Sequence, residues 1–140
     1  MSTIIADNLT GKTAAGNVTV TSEGGAATFQ LQQGLAKAWI FYQQSSTAIK
    51  GSFNISSVTD SATTGIGTVN FTNAMSDAFY SVTGMSGNVT VFETSATSGG
   101  ASSSARSGGS SSAFIFSCIN ESGTKVDNAD VSLTANGDLA

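Results

Sequence analysis

The sequence predicts an all-β protein: an antiparallel β-sandwich head, jelly-roll-like in its winding, preceded by a short extended segment. Three observations carry this reading. Thr, Val, Ile and Phe dominate the apolar stretches, and Gly, Asn, Ser and Asp interrupt them at about the eight-to-twelve-residue spacing of short strands. Apolar and polar residues alternate at the period of a half-buried strand. Helix signals are nearly absent. With no proline in the chain, the turns must rest on Gly, Asn and Asp.

In chain order, Val18 and Val20 face one way in Asn17–Thr21 while the threonines face the other. Phe29 and Leu31 share a face opposite glutamines in Thr28–Gln32. Val69 and Phe71 flank Asn70 in Gly67–Thr72, and Asn88–Glu93 alternates until Phe92. Two runs, Ala36–Tyr42 and Ala113–Ile119, are apolar in part on both faces. Such a run suits either a central sandwich strand or a strand crossing a subunit interface.

The chain divides into two parts. Residues 1–34 hold short strands between turn residues, with too few large apolar side chains to close a core. This segment is expected to dock on identical copies or on a larger particle. Residues 35–140 hold the Trp, both Tyr and seven of the eight Phe, enough for a core. Within them Thr94–Ser112 is Ser- and Gly-rich, cannot offset its ordering entropy by apolar burial, and reads as an exposed mobile loop.

Charged residues make up 10% of the chain, against roughly 25% in ordinary soluble proteins. A surface built from Ser, Thr, Asn, Gln and Gly repels its neighbours weakly and favours close subunit packing. The net charge of −4 and the scattered Lys12, Lys37, Lys50, Arg106 and Lys125 argue against nucleic-acid or anionic-membrane partners. The lone Cys118 cannot form an intramolecular disulfide and reads as a buried inert thiol. The first residues lack a basic n-region and a long apolar h-region, and no apolar run is long enough to span a bilayer. Synthesis in a cytoplasm and no membrane insertion are the expectation.

Candidate chemistry is sparse. No histidine is present, which removes the commonest general base and metal ligand along with Ser-His-Asp and Cys-His arrangements. The nine acids (Asp7, Glu23, Asp60, Asp77, Glu93, Glu121, Asp127, Asp130 and Asp138) sit mostly in turn contexts and read as solvated carboxylates. Asp127–Asp130 offers oxygen donors to a hard cation, but without the spacing and glycine of a calcium loop. No Gly-rich loop leads into Lys-Ser/Thr. Six Asn-x-Ser/Thr triplets, at Asn8, Asn17, Asn54, Asn70, Asn88 and Asn120, are accounted for by composition. No catalytic, cofactor-binding or metal-binding residue is assigned, and no enzyme activity is expected.

The stretches Leu35–Tyr42, Thr47–Asp60 and Gly65–Tyr80 resemble a β-rich domain that recurs in tail-fibre and appendage proteins of marine and cyanobacterial phages. The matched features are Ala36-Lys-Ala-Trp39, Ser52-Phe-Asn-Ile-Ser-Ser57 with Asp60 after it, Thr68-Val-Asn-Phe71, Ala74-Met75 and Tyr80. The ending Gly137-Asp138 also matches, with Asn136 where that family has an aromatic residue. The resemblance covers about residues 35–140 and is broken by the Ser-rich stretch. It implies a virion structural protein, often trimeric, attached through residues 1–34, and it brings no catalytic residues. Tyr42–Thr47 departs from a turn usually richer in Asn and Gly.

Physical roles for the matched residues are expected as follows. Trp39 is an anchor with a buried ring, and Phe53, Ile55, Val69 and Phe71 line one core. Asp60 begins a turn and accepts local backbone N–H bonds. Tyr80 ties down a loop through its hydroxyl. The expected partners are the chain itself as a homotrimer, other virion proteins through residues 1–34, and a host cell-surface glycan. The leading functional expectation is a short fibre or surface appendage of the virion. Alternatives are a capsid decoration protein and a carbohydrate-binding module, the latter disfavoured because its aromatics fall inside strand patterns.

Overall fold

A computed structural model describes residues 8–12, 18–21, 25, 28–31, 34–61, 65–87, 91–93, 110–120, 122 and 124–140. Their regular structure is antiparallel β-strand, with one 3-10 turn and no α-helix among the described residues. The chain falls into two compact units, Met1–Leu35 and Ala36–Ala140. The first contains a hairpin of β1 (Thr19–Thr21) and β2 (Thr28–Gln30). Residues 94–109 of the Ser- and Gly-rich stretch lie outside the described residues.

The second unit has eight strands: β3 (Ala38–Gln43), β4 (Ala48–Phe53), β5 (Ile55–Asp60), β6 (Ile66–Phe71), β7 (Ser81–Ser86), β8 (Val91–Glu93), β9 (Ala113–Ile119) and β10 (Val131–Asn136). They form two four-stranded sheets, ordered β4-β3-β10-β7 and β5-β6-β9-β8. The inward faces of both sheets supply one core. Ala38, Ile40, Tyr42, Val131, Leu133 and Ala135 come from the first sheet; Val69, Phe71, Phe114, Phe116 and Cys118 come from the second. Burying each large aliphatic or aromatic side chain contributes about 1.5–3 kcal/mol. Two aromatic groups fill this core. Phe71, Tyr80 and Phe114 have centroids 5.4–6.5 Å apart, and Tyr42 meets Phe116 edge-on at 6.3 Å.

The strand order corrects the jelly-roll expectation. In a jelly roll most consecutive strands alternate between sheets, whereas β3–β4, β5–β6 and β8–β9 are neighbours within a sheet here. The chain changes sheet between β4 and β5 at Asn54 alone, which adopts φ 57. Asn is among the few non-glycine residues that tolerate this conformation. Its side chain secures the corner: Nδ2 donates to the carbonyls of Lys37 and Asn73, and Oδ1 accepts from the Asn73 N–H at 2.7 Å. The unexpected Tyr42–Thr47 turn is a 3-10 turn over Gln44–Ser46, closed by Thr47 at φ 51, whose N–H donates to the Gln44 carbonyl.

Candidate functional site: an aromatic sheet face

The candidate site is the outer face of the β4-β3-β10-β7 sheet. β3 is apolar on both sides, so burying Ala38, Ile40 and Tyr42 turns Trp39 and Phe41 outward. Register carries this across four strands in two rows. One row runs Phe53, Trp39, Thr134, Thr83; the next runs Gly51, Phe41, Ser132, Met85. Neither row contains an ionisable side chain. Trp39 is 44% exposed, Phe41 39%, Phe53 52% and Met85 78%. The six-membered ring of Trp39 rests over Gly51, where a Cβ would lie 3.4 Å from it. Phe41, Met85, Ser86, Gly87, Asp130 and Ser132 line an open groove of about 250 Å³ at the end of this face.

These positions correct two expectations. Trp39 and Phe53 do not line the core, because strand alternation sends them to the side opposite Ile40. Val69 and Phe71 are buried, and Ile55 packs against the core from its margin. The outer face of the second sheet differs in chemistry. Ser57, Thr59, Thr68 and Asn70 occupy it with Ile115 and Ala113 of β9, and Asn70 Nδ2 donates to Ser57 Oγ at 3.1 Å.

A polar cluster forms where Gln44 meets the loop before β10. The Gln44 and Ser45 N–H groups donate to the Asn128 carbonyl, and the Asn128 N–H donates to Gln44 Oε1. Gln44 Nε2 donates to Asp60 Oδ1 at 3.4 Å, and Asp127 accepts the Gly65 N–H. Asp60 thus ends β5 and accepts from Gln44; residues 62–64 of its turn lie outside the described residues. The buried Tyr42 hydroxyl has no hydrogen-bond partner among the described residues. Burial, with the negative charges of Asp60 and Asp127, pushes its pKa up.

Cys118 is fully buried, and burial raises its thiol pKa against the lowering effect of a 3.6 Å hydrogen bond from Ser86. That environment disfavours the nucleophilic thiolate. Ser86 Oγ also accepts from Asn128 Nδ2. Tyr80 Oη lies 2.9 and 2.8 Å from the carbonyls of Ser110 and Ala113, tying the start of β9 to the β7 side. Asp127 and Asp130 do not converge: the first faces Gly65, the second lines the groove. No group of three His, Cys, Asp or Glu able to hold a metal occurs among the described residues.

No family model, curated protein or solved structure matches the chain. The two rows of side chains therefore have to be interpreted by their own chemistry. They offer stacking and apolar contact with hydroxyls between.

Proposed function

We propose that this protein is a non-enzymatic structural component of a bacteriophage particle, a short fibre or surface appendage that works as a homotrimer. In this reading the two-sheet unit is the exposed head, and residues 1–34 join it to other virion proteins. The observation that carries the proposal is the uncharged aromatic face of Trp39, Phe41 and Phe53 on a β-sandwich. An exposed apolar patch on the order of a few hundred Å² is often a contact site. The resemblance of residues 35–140 to phage appendage domains points the same way. The lack of histidine removes the usual means of hydrolysis.

A second reading is favoured by one observation: the Trp39 ring seated over Gly51 is an aromatic platform on which a host glycan could stack. Mass spectrometry of virions purified from a lysate of the encoding phage tests the structural reading. The chain should be present in multiple copies, and a variant lacking residues 1–34 should fold but be missing from particles. Particles without the chain, or normal incorporation of the shortened form, would overturn it.

A further inference from the structure

We infer that the outer face of the β4-β3-β10-β7 sheet is covered by a second copy of this chain. The inference rests on the homo-oligomeric reading above and names the surface that serves it.

Size is the first argument. An aromatic side chain offers roughly 150–250 Å², so the exposed fractions of Trp39, Phe41 and Phe53 leave roughly 200–340 Å² of aromatic surface in one patch. Met85 extends it across the sheet. That is enough for the desolvated centre of an interface, the rest of the about 800 Å² per partner in a stable one coming from its polar rim. Aromatic residues and Met are the side chains enriched at such centres, and charged ones are depleted.

Charge selects the occupant. The chain carries a net −4, so two copies repel wherever their carboxylates face each other. The two rows carry no ionisable group and Asp130 borders only the groove at their end, so identical acidic chains can meet over the rows themselves without opposed charges. A glycan needs amide, carboxylate or guanidinium partners beside its stacking ring. The register neighbours of Trp39 are Phe53 and Thr134, with Gly51 beneath the ring.

At the β4 edge, contact through this face is favoured over strand addition. β4 is an edge strand whose register shifts opposite Phe41 and Tyr42, leaving Lys50 as the extra residue. A bulge with a lysine is a device that blocks edge-to-edge pairing. On the other sheet, edge strand β5 shifts register at Ser56.

Trp39 is the only tryptophan, so its fluorescence reports on this surface. The test uses the full chain, light scattering and acrylamide quenching over a dilution series, with Met85→Lys and Phe53→Ser as separate variants. Both positions face outward, and circular dichroism checks their fold. The expected result is a wild-type oligomer with shielded Trp39 that becomes quenchable on dilution. Each variant should move the association midpoint at least ~10-fold higher, equal to about 1.4 kcal/mol. A monomer at every concentration overturns the inference, as do unchanged midpoints in both variants. Trp39 shielded only on adding host oligosaccharide overturns it in favour of the glycan. If the chain is found in particles but these variants assemble normally, this face alone fails. If it self-associates here but is absent from particles, the virion reading fails and this inference stands.

Discussion

Adding one methyl group to Gly67 should destabilise the protein, whereas the same change at Gly51 should not. Both glycines lie inside strands beneath an aromatic ring. At Gly67 an added Cβ would sit 2.5 Å from Phe116 Cε1 and 2.6 Å from Cζ, and Phe116 is fully buried. The ring also meets Tyr42 edge-on, so it has no free volume into which to retreat. Overpacking of this kind costs about 1–3 kcal/mol. Replacing a strand glycine by alanine returns roughly 0.5–1 kcal/mol of backbone entropy. The clash wins, and Gly67→Ala should lose about 1–2 kcal/mol.

At Gly51 the nearest atoms are Trp39 ring carbons at 3.4 and 3.5 Å, on a ring that no core residue of its own chain pins from the other side. That ring can lift by tenths of an ångström, so the backbone term decides and Gly51→Ala should gain up to about 1 kcal/mol. Urea unfolding measures both, at one protein concentration, because association makes apparent stability concentration-dependent. The decisive background is Phe116→Leu, which removes the ring atoms that Cβ would strike. There the Gly67→Ala penalty should disappear. A coupling energy below about 0.5 kcal/mol would refute the packing argument, as would a Gly67→Ala protein as stable as wild type.

Two further outcomes follow from the corner and the buried hydroxyl. Asn54→Ala should lose about 2–3 kcal/mol, from the left-handed backbone and the lost side-chain bonds to Lys37 and Asn73. Asn54→Gly should recover the backbone share in the same urea titration, and equal losses in both variants would contradict this division. Tyr42→Phe removes a buried hydroxyl that has no hydrogen-bond partner among the described residues and keeps the ring against Phe116, so stability at neutral pH should rise by about 1 kcal/mol. Because the folded hydroxyl titrates above the ordinary 10.0, its contribution is complete below that value and is lost as pH rises through the raised one. Wild type should therefore weaken more steeply than Tyr42→Phe above pH 10.0, and parallel alkaline limbs would show that Tyr42 does not titrate this way.

Alternation made β6 legible, since Val69 and Phe71 face one way between Thr68 and Asn70. The two dense runs looked alike in sequence and differ in cause. β9 is a central strand, and besides Phe114, Phe116 and Cys118 it also buries Ser117 and Ile119. β3 is dense because it serves the core on one face and the exposed patch on the other. Period alone separates the faces of a strand but does not say which is inward, so the expectation that Trp39 and Phe53 are buried puts them on the wrong side. β7 gives little apolar signal because Val82 and Gly84 are its inward residues and its largest apolar side chain, Met85, points out. Sheet membership depends on pairings far apart in sequence, such as Trp39 with Thr134, which no local pattern contains. The exposed patch did leave one local sign: the apolar run around Trp39 was longer on both faces than one buried face requires.

The glycines connect this patch to the core without making one depend on the other. Gly67 lets Phe116 close over the second sheet from inside, while Gly51 lets Trp39 lie on the first sheet from outside. Both replace a strand side chain with the ring of a neighbour, but only the inner ring is fixed by surrounding atoms. Trp39, Phe41, Phe53 and Met85 share no strand face with Ile40, Tyr42 or Leu133. Substitutions among them change what the outer face can hold while leaving the buried set untouched. A protein whose partner must fit closely gains from that separation. With the β4 edge interrupted at Lys50, what this sheet offers a partner on that side is the pattern of its side chains. Backbone edges pair with almost any extended segment; a patterned aromatic face is selective, and identical copies carry the same pattern.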